Sequence, residues 1–289
     1  MKELSSFKSA AEALKDVLPA DYQAGRIQTY DQLAQMRCDV YNDSEGKNQE
    51  FGCEKCKHRG YFMRLDEDGF DVKVECECLK MIHAAEKLEQ FGIAPEKLRQ
   101  YTFDSYEMHD DFCERALAES KKYAADNTTS WLFMSGQNGS GKTHLCISVC
   151  RELLVRGYDV KYLIWPDFEK RFVASRFKDD AYTNLLRMVR EPQVLYIDDL
   201  LKTPMQNNMH VQPSVQELRD TFEIINQRYY SGKRTIITTE WMSDELYRMD
   251  AALGGRIDEM SRDCKIQIEF KEGRDYRKKK KGGRSNAVK

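Results

Sequence analysis

The chain has 289 residues, 41% hydrophobic and 33% charged, with 46 basic against 48 acidic side chains and a formal net charge of −2. That length holds one large core plus a small module. The near-neutral balance excludes whole-molecule attraction to nucleic acid and leaves any such contact to a local patch. The first 18 residues are amphipathic and charged, unlike a secretory signal, and no apolar run approaches the roughly 20 residues of a membrane helix. Nine cysteines without an export signal point to free thiols or metal ligation, with the cytoplasm as the expected compartment.

Taken in chain order, Leu4, Phe7, Ala11, Leu14 and Leu18 recur at helical spacing and predict a helix ended by Pro19. A second short helix is predicted over Tyr30–Val40. This pair either packs on the module that follows or docks a partner. Next come Cys53-Glu54-Lys55-Cys56 and Cys76-Glu77-Cys78, separated by a hairpin-like segment: Gly60–Leu65, Asp66-Glu67-Asp68-Gly69, then Phe70–Glu75. A hairpin can bring two thiol pairs together into the tetrahedral sulfur set that zinc favours. The segment is too short to bury a core unaided, so a metal would supply folding free energy. Cys53, Cys56, Cys76 and Cys78 are therefore the candidate zinc ligands. Buried free thiols or a redox pair are the alternatives, and His58 or His83 could replace one thiolate. Cys38, Cys113, Cys146, Cys150 and Cys264 read as small core residues.

Residues 79–91 look helical and break at Gly92 and Pro95, as a connector would. The aromatics of Tyr101-Thr102-Phe103-Asp104-Ser105-Tyr106 either flank an adenine ring or pack the edge of a sheet, the plainer expectation being the edge. A helix follows over Phe112–Ala125. The apolar run Trp131–Met134 then leads into Gly136-Gln137-Asn138-Gly139-Ser140-Gly141-Lys142-Thr143, a G-x-x-x-x-G-K-T loop opening the helix-like run Thr143–Leu154. Its glycines let backbone N–H groups turn toward phosphate oxygens. The helix that follows adds its positive end, Lys142 supplies charge to the β- and γ-phosphates, and the Thr143 hydroxyl can ligate magnesium.

From Thr129 onward apolar strands (Trp131–Met134, Val160–Ile164, Val194–Ile197, Thr235–Thr238) alternate with amphipathic helices, the pattern of an α/β fold with a parallel sheet covered on both faces. Val194-Leu195-Tyr196-Ile197-Asp198-Asp199 is an apolar strand ending in two acids. Asp198 would hold the magnesium with its waters, and Asp199 would polarise an attacking water. Leu201–Gln212 reads as a loop on the nucleotide face, and Val215–Tyr230 as a strong helix. Thr238-Thr239-Glu240 stands at a strand end, with Thr239 able to orient a water. Residues 277–284 are a basic run, either a solvated end or an arm for phosphates.

Together the loop at 136–143, Asp198-Asp199, Thr238-Thr239-Glu240 and Leu253-Gly254-Gly255-Arg256-Ile257 resemble the AAA+ ATPases of the DnaC/DnaI helicase-loader group, and the four-cysteine module in front resembles the zinc-bearing N-terminal domain of its DnaI-like and phage members. The resemblance spans roughly residues 50–270. It implies a zinc-binding, helicase-interacting domain over 1–85, a connector over 86–105, an AAA+ ATPase domain over 106–270 and a basic tail over 271–289. It implies ATP, Mg²⁺ and Zn²⁺ as cofactors. The implied partners are a replicative helicase of the DnaB type, single-stranded DNA and further copies of the chain in a spiral or ring. Arg256 matches the arginine finger that reaches a neighbour's nucleotide, and hydrolysis would be a slow switch. The sequence departs from the pattern at Glu240, where many AAA+ proteins carry Asn, and little chain remains after Met260 for a helical lid. A transposition ATPase of the IstB type, a small-molecule P-loop kinase and a non-catalytic zinc adaptor are the rival readings.

Overall fold

The computed structural model describes residues 30–46, 53–79, 83, 100–206, 209–272 and 274–276, which fall into two compact units, 1–83 and 84–289. The helix expected in the first 18 residues, the Gly92–Pro95 break and the basic run from residue 277 lie outside the described residues. No described helix is long and apolar enough to cross a membrane.

In the first unit, helix α1 (Tyr30–Asp43) runs past the predicted Val40. Strands β1 (Tyr61–Leu65) and β2 (Asp71–Glu75) pair antiparallel, as the hairpin pattern predicts. The Asp66 carboxylate closes their turn by accepting from Asp68 N at 3.1 Å and Phe70 N at 2.8 Å. Helix α1 packs on this hairpin. Asn42 accepts from Met63 N and donates to Met63 O, Arg37 lies 2.6 Å from Asp71, and Leu33, Ala34, Met36 and Cys38 are buried. Of the two roles open to α1 in the sequence, its apolar face takes the packing one.

The second unit runs α2 (Asp111–Ala125), β3 (Leu132–Gly136), α3 (Lys142–Val155), β4 (Val160–Ile164), α4 (Trp165–Ser175), α5 (Asp179–Arg190) and β5 (Val194–Leu200). It continues with a short hairpin of β6 (Met205–Gln206) and β7 (Met209–His210), then α6 (Val215–Ser231), β8 (Arg234–Thr239), α7 (Ser243–Met249), α8 (Ala251–Met260) and β9 (Lys265–Ile268). The main sheet is parallel throughout, in the order β4-β5-β8-β3-β9. Strand β3 is buried at every position, as a central parallel strand covered on both faces must be. Trp131, Phe133, Leu195, Ile197 and Ile237 form the middle of the core, closed on one side by Trp165 and Phe172. Helix α6 starts at a reciprocal capping box between Ser214 and Glu217 and stops at Gly232 in the left-handed region. From α6 the fully buried Arg228 donates to the carbonyls of Val189, Pro192 and Arg234 and to the Thr235 hydroxyl, so one side chain ties α5, α6 and β8 together.

The glycine loop follows β3, the acid pair closes β5 and Glu240 follows β8. All three stand at the carboxyl ends of adjacent parallel strands, the edge at which open α/β sheets bind ligands.

Candidate nucleotide site and thiol cluster

The four candidate zinc ligands meet in the first unit. Cys53 and Cys56 flank a single 3₁₀ turn, and the chain then passes through Lys57 and His58 at positive φ (45° and 65°). That sharp reversal lets Gly60 N donate to Cys56 Sγ at 3.2 Å, while Cys76 N donates to Gly60 O and brings the second pair back. Cys53 Sγ lies 3.7 Å from Cys76 Sγ and Cys56 Sγ 3.3 Å from Cys78 Sγ, and all four sulfurs fall within 4.8 Å of one another. A zinc–sulfur bond of about 2.3 Å gives a tetrahedral edge of about 3.8 Å, so this donor set fits zinc closely. Neither His58 nor His83 belongs to the cluster, and four thiols leave no position for one.

In the second unit Gly136, Gly139 and Gly141 all take positive φ (102°, 72° and 91°). At Gly141 a Cβ would also press on the Tyr106 ring, so both backbone and packing demand glycine there. The curl turns Lys142 inward, where its ammonium donates to Gly136 O at 2.6 Å and Gln137 O at 2.9 Å. Burial pushes its pKa down to about 8, against the pull of Glu240, Asp199 and Asp198. Gln137 pairs through its side chain with the Lys271 backbone, Ser140 donates to Gln137 O, and Asn138 lines the cleft beside the loop.

Thr143 donates to Asp198 Oδ1 at 3.2 Å. Asp198 is buried and also accepts from Tyr162 and Tyr196, each at 2.8 Å, and from Thr238. Burial and the adjacent carboxylate push both tyrosines above the ordinary phenol range, so they stay protonated donors. The carboxylate is thereby fixed in orientation beside the Thr143 hydroxyl. Two hard oxygen donors side by side at the loop suit a magnesium ion that keeps several of its waters.

Asp199 is set apart by a backbone irregularity. The β5–β8 register shifts between Ile197 and Leu200, and Asp199 sits at φ 59°, a left-handed conformation that strains a non-glycine residue. The bulge breaks strand alternation, so Asp199 lines the cleft together with the loop. Its backbone N–H donates to Thr238 Oγ1 at 3.0 Å, making Thr238 a bridge between the two acids. Its carboxylate lies 2.7 Å from Lys202 Nζ. Glu240 is buried, 3.5 Å from Lys202 Nζ and 3.4 Å from His210 Nε2. His210 comes from the β6–β7 hairpin, in a stretch the sequence presents as a plain loop.

Two expected residues are not gathered with these. The Thr239 hydroxyl turns away, donating to Leu200 O at 2.8 Å and accepting from Trp241 N, and is fully buried. The threonine that meets the acids is its neighbour Thr238, because alternation along β8 sends successive side chains to opposite faces. Arg256, on α8, donates to Ala252 O and rests on the Phe222 and Tyr229 rings at 4.6 and 5.2 Å.

A cleft of about 210 Å³ opens over the loop. Tyr101 and Tyr106 line it, in stacked and edge-on contact with His144, which corrects the plainer expectation that they pack the sheet edge. Tyr276 lines it too, although the sequence presents it as part of a tail beginning at residue 271.

A lysine buried in a glycine loop, with no acid among the described residues in ion-pair contact, calls for an anion, and Thr143 beside Asp198 calls for the cation that accompanies a nucleoside triphosphate. On a parallel sheet of this order, those demands define an AAA+ P-loop ATPase. The chain matches the bacterial DnaA ATPase domain over residues 98–260, and it belongs to that family. Among its relatives, the phage-like element PBSX protein XkdC of Bacillus subtilis is 26% identical over 83% of this chain and 92% of its own length. The replicative helicase loader DnaC of Escherichia coli is 29% identical over 34% of this chain and 42% of its own length. A crystal structure of the DnaC helicase loader aligns at a TM-score of 0.51 and 23% identity, covering 61% of this chain and 99% of that one, which supports the shared fold. The family and the fold agree with the AAA+ resemblance legible in the sequence.

Proposed function

We propose that this chain is an ATP-dependent loader that places a replicative helicase of the DnaB type on single-stranded DNA. The observation that carries the reading is a four-thiol unit that precedes, in the chain, a glycine loop gathered with Thr143, Asp198 and Asp199. A small-molecule kinase has no use for such a unit, and a non-catalytic adaptor has no use for Lys142, Thr143, Asp198 and Asp199 kept in this geometry. The similarity to the loader from Escherichia coli points the same way. In this reading the first unit, with zinc on Cys53, Cys56, Cys76 and Cys78, grips the helicase. The second binds ATP, assembles with further copies in a spiral or ring, and contacts single-stranded DNA. The loop amides and Lys142 hold the phosphates. Thr143 and Asp198 hold the magnesium, which when bound neutralises phosphate charge. Asp199 activates the attacking water, and Arg256 of a neighbouring copy completes the site. Hydrolysis is slow, because its task is to remove γ-phosphate contacts and so release the helicase.

The test is a loading assay on circular single-stranded DNA covered with single-strand binding protein. A DnaB-type helicase should unwind an annealed oligonucleotide only when the purified chain and ATP are both present, and Lys142→Ala should abolish the effect. Absence of any helicase complex, together with phosphorylation of a small molecule, would replace the loader with the kinase.

A further inference from the structure

Beyond β9 the described residues up to Tyr276 stay on the ATPase unit. Gln137 N donates to Ile268 O at 3.1 Å, and the Gln137 amide then holds Lys271 by both its N–H and its C=O, at 3.0 and 3.1 Å. Further on, Tyr276 N donates to Gly139 O at 3.1 Å, and a Cβ on Gly139 would overlap Asp275. This strap is anchored from the side as well. Arg274 lies 3.0 Å from Asp110 Oδ2 and 5.2 Å from the centre of the Phe112 ring, with its side chain 11% exposed. Against the cost of burial, the Cys113 N–H and Arg274 hold the Asp110 carboxyl down to about 2. Asp110 caps α2, so the anchor belongs to a fixed element.

The strap delivers an aromatic ring to one end of the cleft. The Tyr276 ring lies 4.2 Å from that of His109, at 34°, and its hydroxyl lies 3.4 Å from Cys113 Sγ. The loop amides, Lys142 and the start of α3 fix the phosphate end. Away from the loop the lining carries the rings of Tyr101, Tyr106, His109, His144 and Tyr276, beside the polar Ser105 and Glu107. Among the described residues the buried Tyr106 hydroxyl meets no partner in hydrogen-bond geometry, although the Cys113 thiol lies near it.

We propose that Tyr276 is a nucleotide-binding residue, carried by a strap after β9 that closes over one end of the cleft, and that with His109 it stacks on the base of bound ATP. Arg274 is the positioning residue that seats it. The proposal rests on the ATPase reading and extends it to the recognition of the base. Stacking of a base on an aromatic side chain is sensitive to removal of the ring and indifferent to its hydroxyl.

The test is calorimetric binding of ATP and of inorganic tripolyphosphate, which shares the phosphates and lacks the base, to the full chain. Tyr276→Ala should weaken ATP binding about tenfold or more and leave tripolyphosphate binding unchanged, while Tyr276→Phe should bind both as wild type does. Arg274→Ala, which unseats the strap without touching the ring, should reproduce the ATP-specific loss, and the double variant should add little to either single one. Equal weakening of ATP and tripolyphosphate would show that the strap only shapes the loop, and unchanged ATP binding in Tyr276→Ala would overturn the proposal outright. A wild-type chain that binds neither compound would instead overturn the nucleotide reading itself. Circular dichroism melts of each variant separate loss of contact from loss of fold.

Discussion

Lys202 Nζ stands 2.7 Å from Asp199 Oδ2 and 3.5 Å from Glu240 Oε1, so the acid assigned to water activation is held by a lysine three residues along. Burial alone would lower the Lys202 pKa, yet its bond to Asp199 and the charge of Glu240 raise it. A carboxylate oxygen that already accepts from a lysine is less free to accept from the attacking water. Lys202→Met is therefore expected to raise basal ATP turnover several-fold at unchanged ATP affinity, while Asp199→Asn keeps binding and slows turnover about 10²-fold or more. Steady-state rates beside equilibrium binding decide both points. A fall in turnover for Lys202→Met would place that lysine on the phosphates instead.

The buried Lys142 makes ATP binding a proton-linked event. In the free protein its pKa is held down to about 8 by burial, and arriving phosphates favour the charged ammonium, so the bound value is higher. Between the two values the complex holds more protons than the free protein, so binding takes up a proton and affinity falls as pH rises above about 8. At pH 7 the lysine is already largely charged and the uptake fades. Calorimetry near pH 8.5 in buffers of different ionisation enthalpy should reveal this uptake, and Lys142→Ala should remove it together with about tenfold or more of the affinity. Uptake that persists in Lys142→Ala would assign the proton to another group.

The thiol cluster predicts about one zinc per chain in protein prepared without chelators. Cys76→Ser should lose the metal and loosen the first unit, since metal binding and folding are coupled there. The ATPase unit has its own core and should keep its ATP affinity. The readings are metal content and proteolysis of the two units. Full-length protein that is free of zinc and resists protease equally in both units would remove the metal from the account.

How much of this was legible depended on how local the signal is. The glycine loop, the acid pair and the cysteine spacing are set by chemistry within a few residues, and the structure gathers each of them. The strands around the P-loop could be read because central parallel strands are apolar at every position. Lys265–Ile268 escaped notice because the strand is short and its burial alternates, with Ile266 and Ile268 buried and Gln267 exposed. The choice between Thr238 and Thr239 turns on strand phase, which two adjacent threonines do not reveal. His210 and Tyr276 arrive from segments with no periodic pattern. Only the hairpin and the strap that carry them make them part of the site. The positive φ of Asp199 has no sequence signature, since it follows from the register shift against β8.

Arg256 offers the sharpest test of assembly. Among the described residues, its contacts are with Ala252, Phe222 and Tyr229, none of them in the glycine loop of its own chain. Stacking on two rings restrains the guanidinium before any partner arrives, which lowers the entropy lost when it docks. A guanidinium entering from a neighbour is worth about three to five powers of ten in related phosphoryl transfer, though a slow switch would use less. Arg256→Ala should then fold normally, bind ATP with wild-type affinity and lose the hydrolysis stimulated by assembly on helicase and single-stranded DNA. Arg256→Lys should restore little, because an ammonium lacks the planar fork that stacks and bonds at once. Mixing Arg256→Ala with Lys142→Ala protein should recover activity, since one interface in the mixed assembly joins an intact loop to an intact arginine. The measurement is ATPase rate against mixing ratio. A rise above both pure variants, greatest near equal proportions, is the expected curve, and a straight line between them would count against a site shared by two subunits.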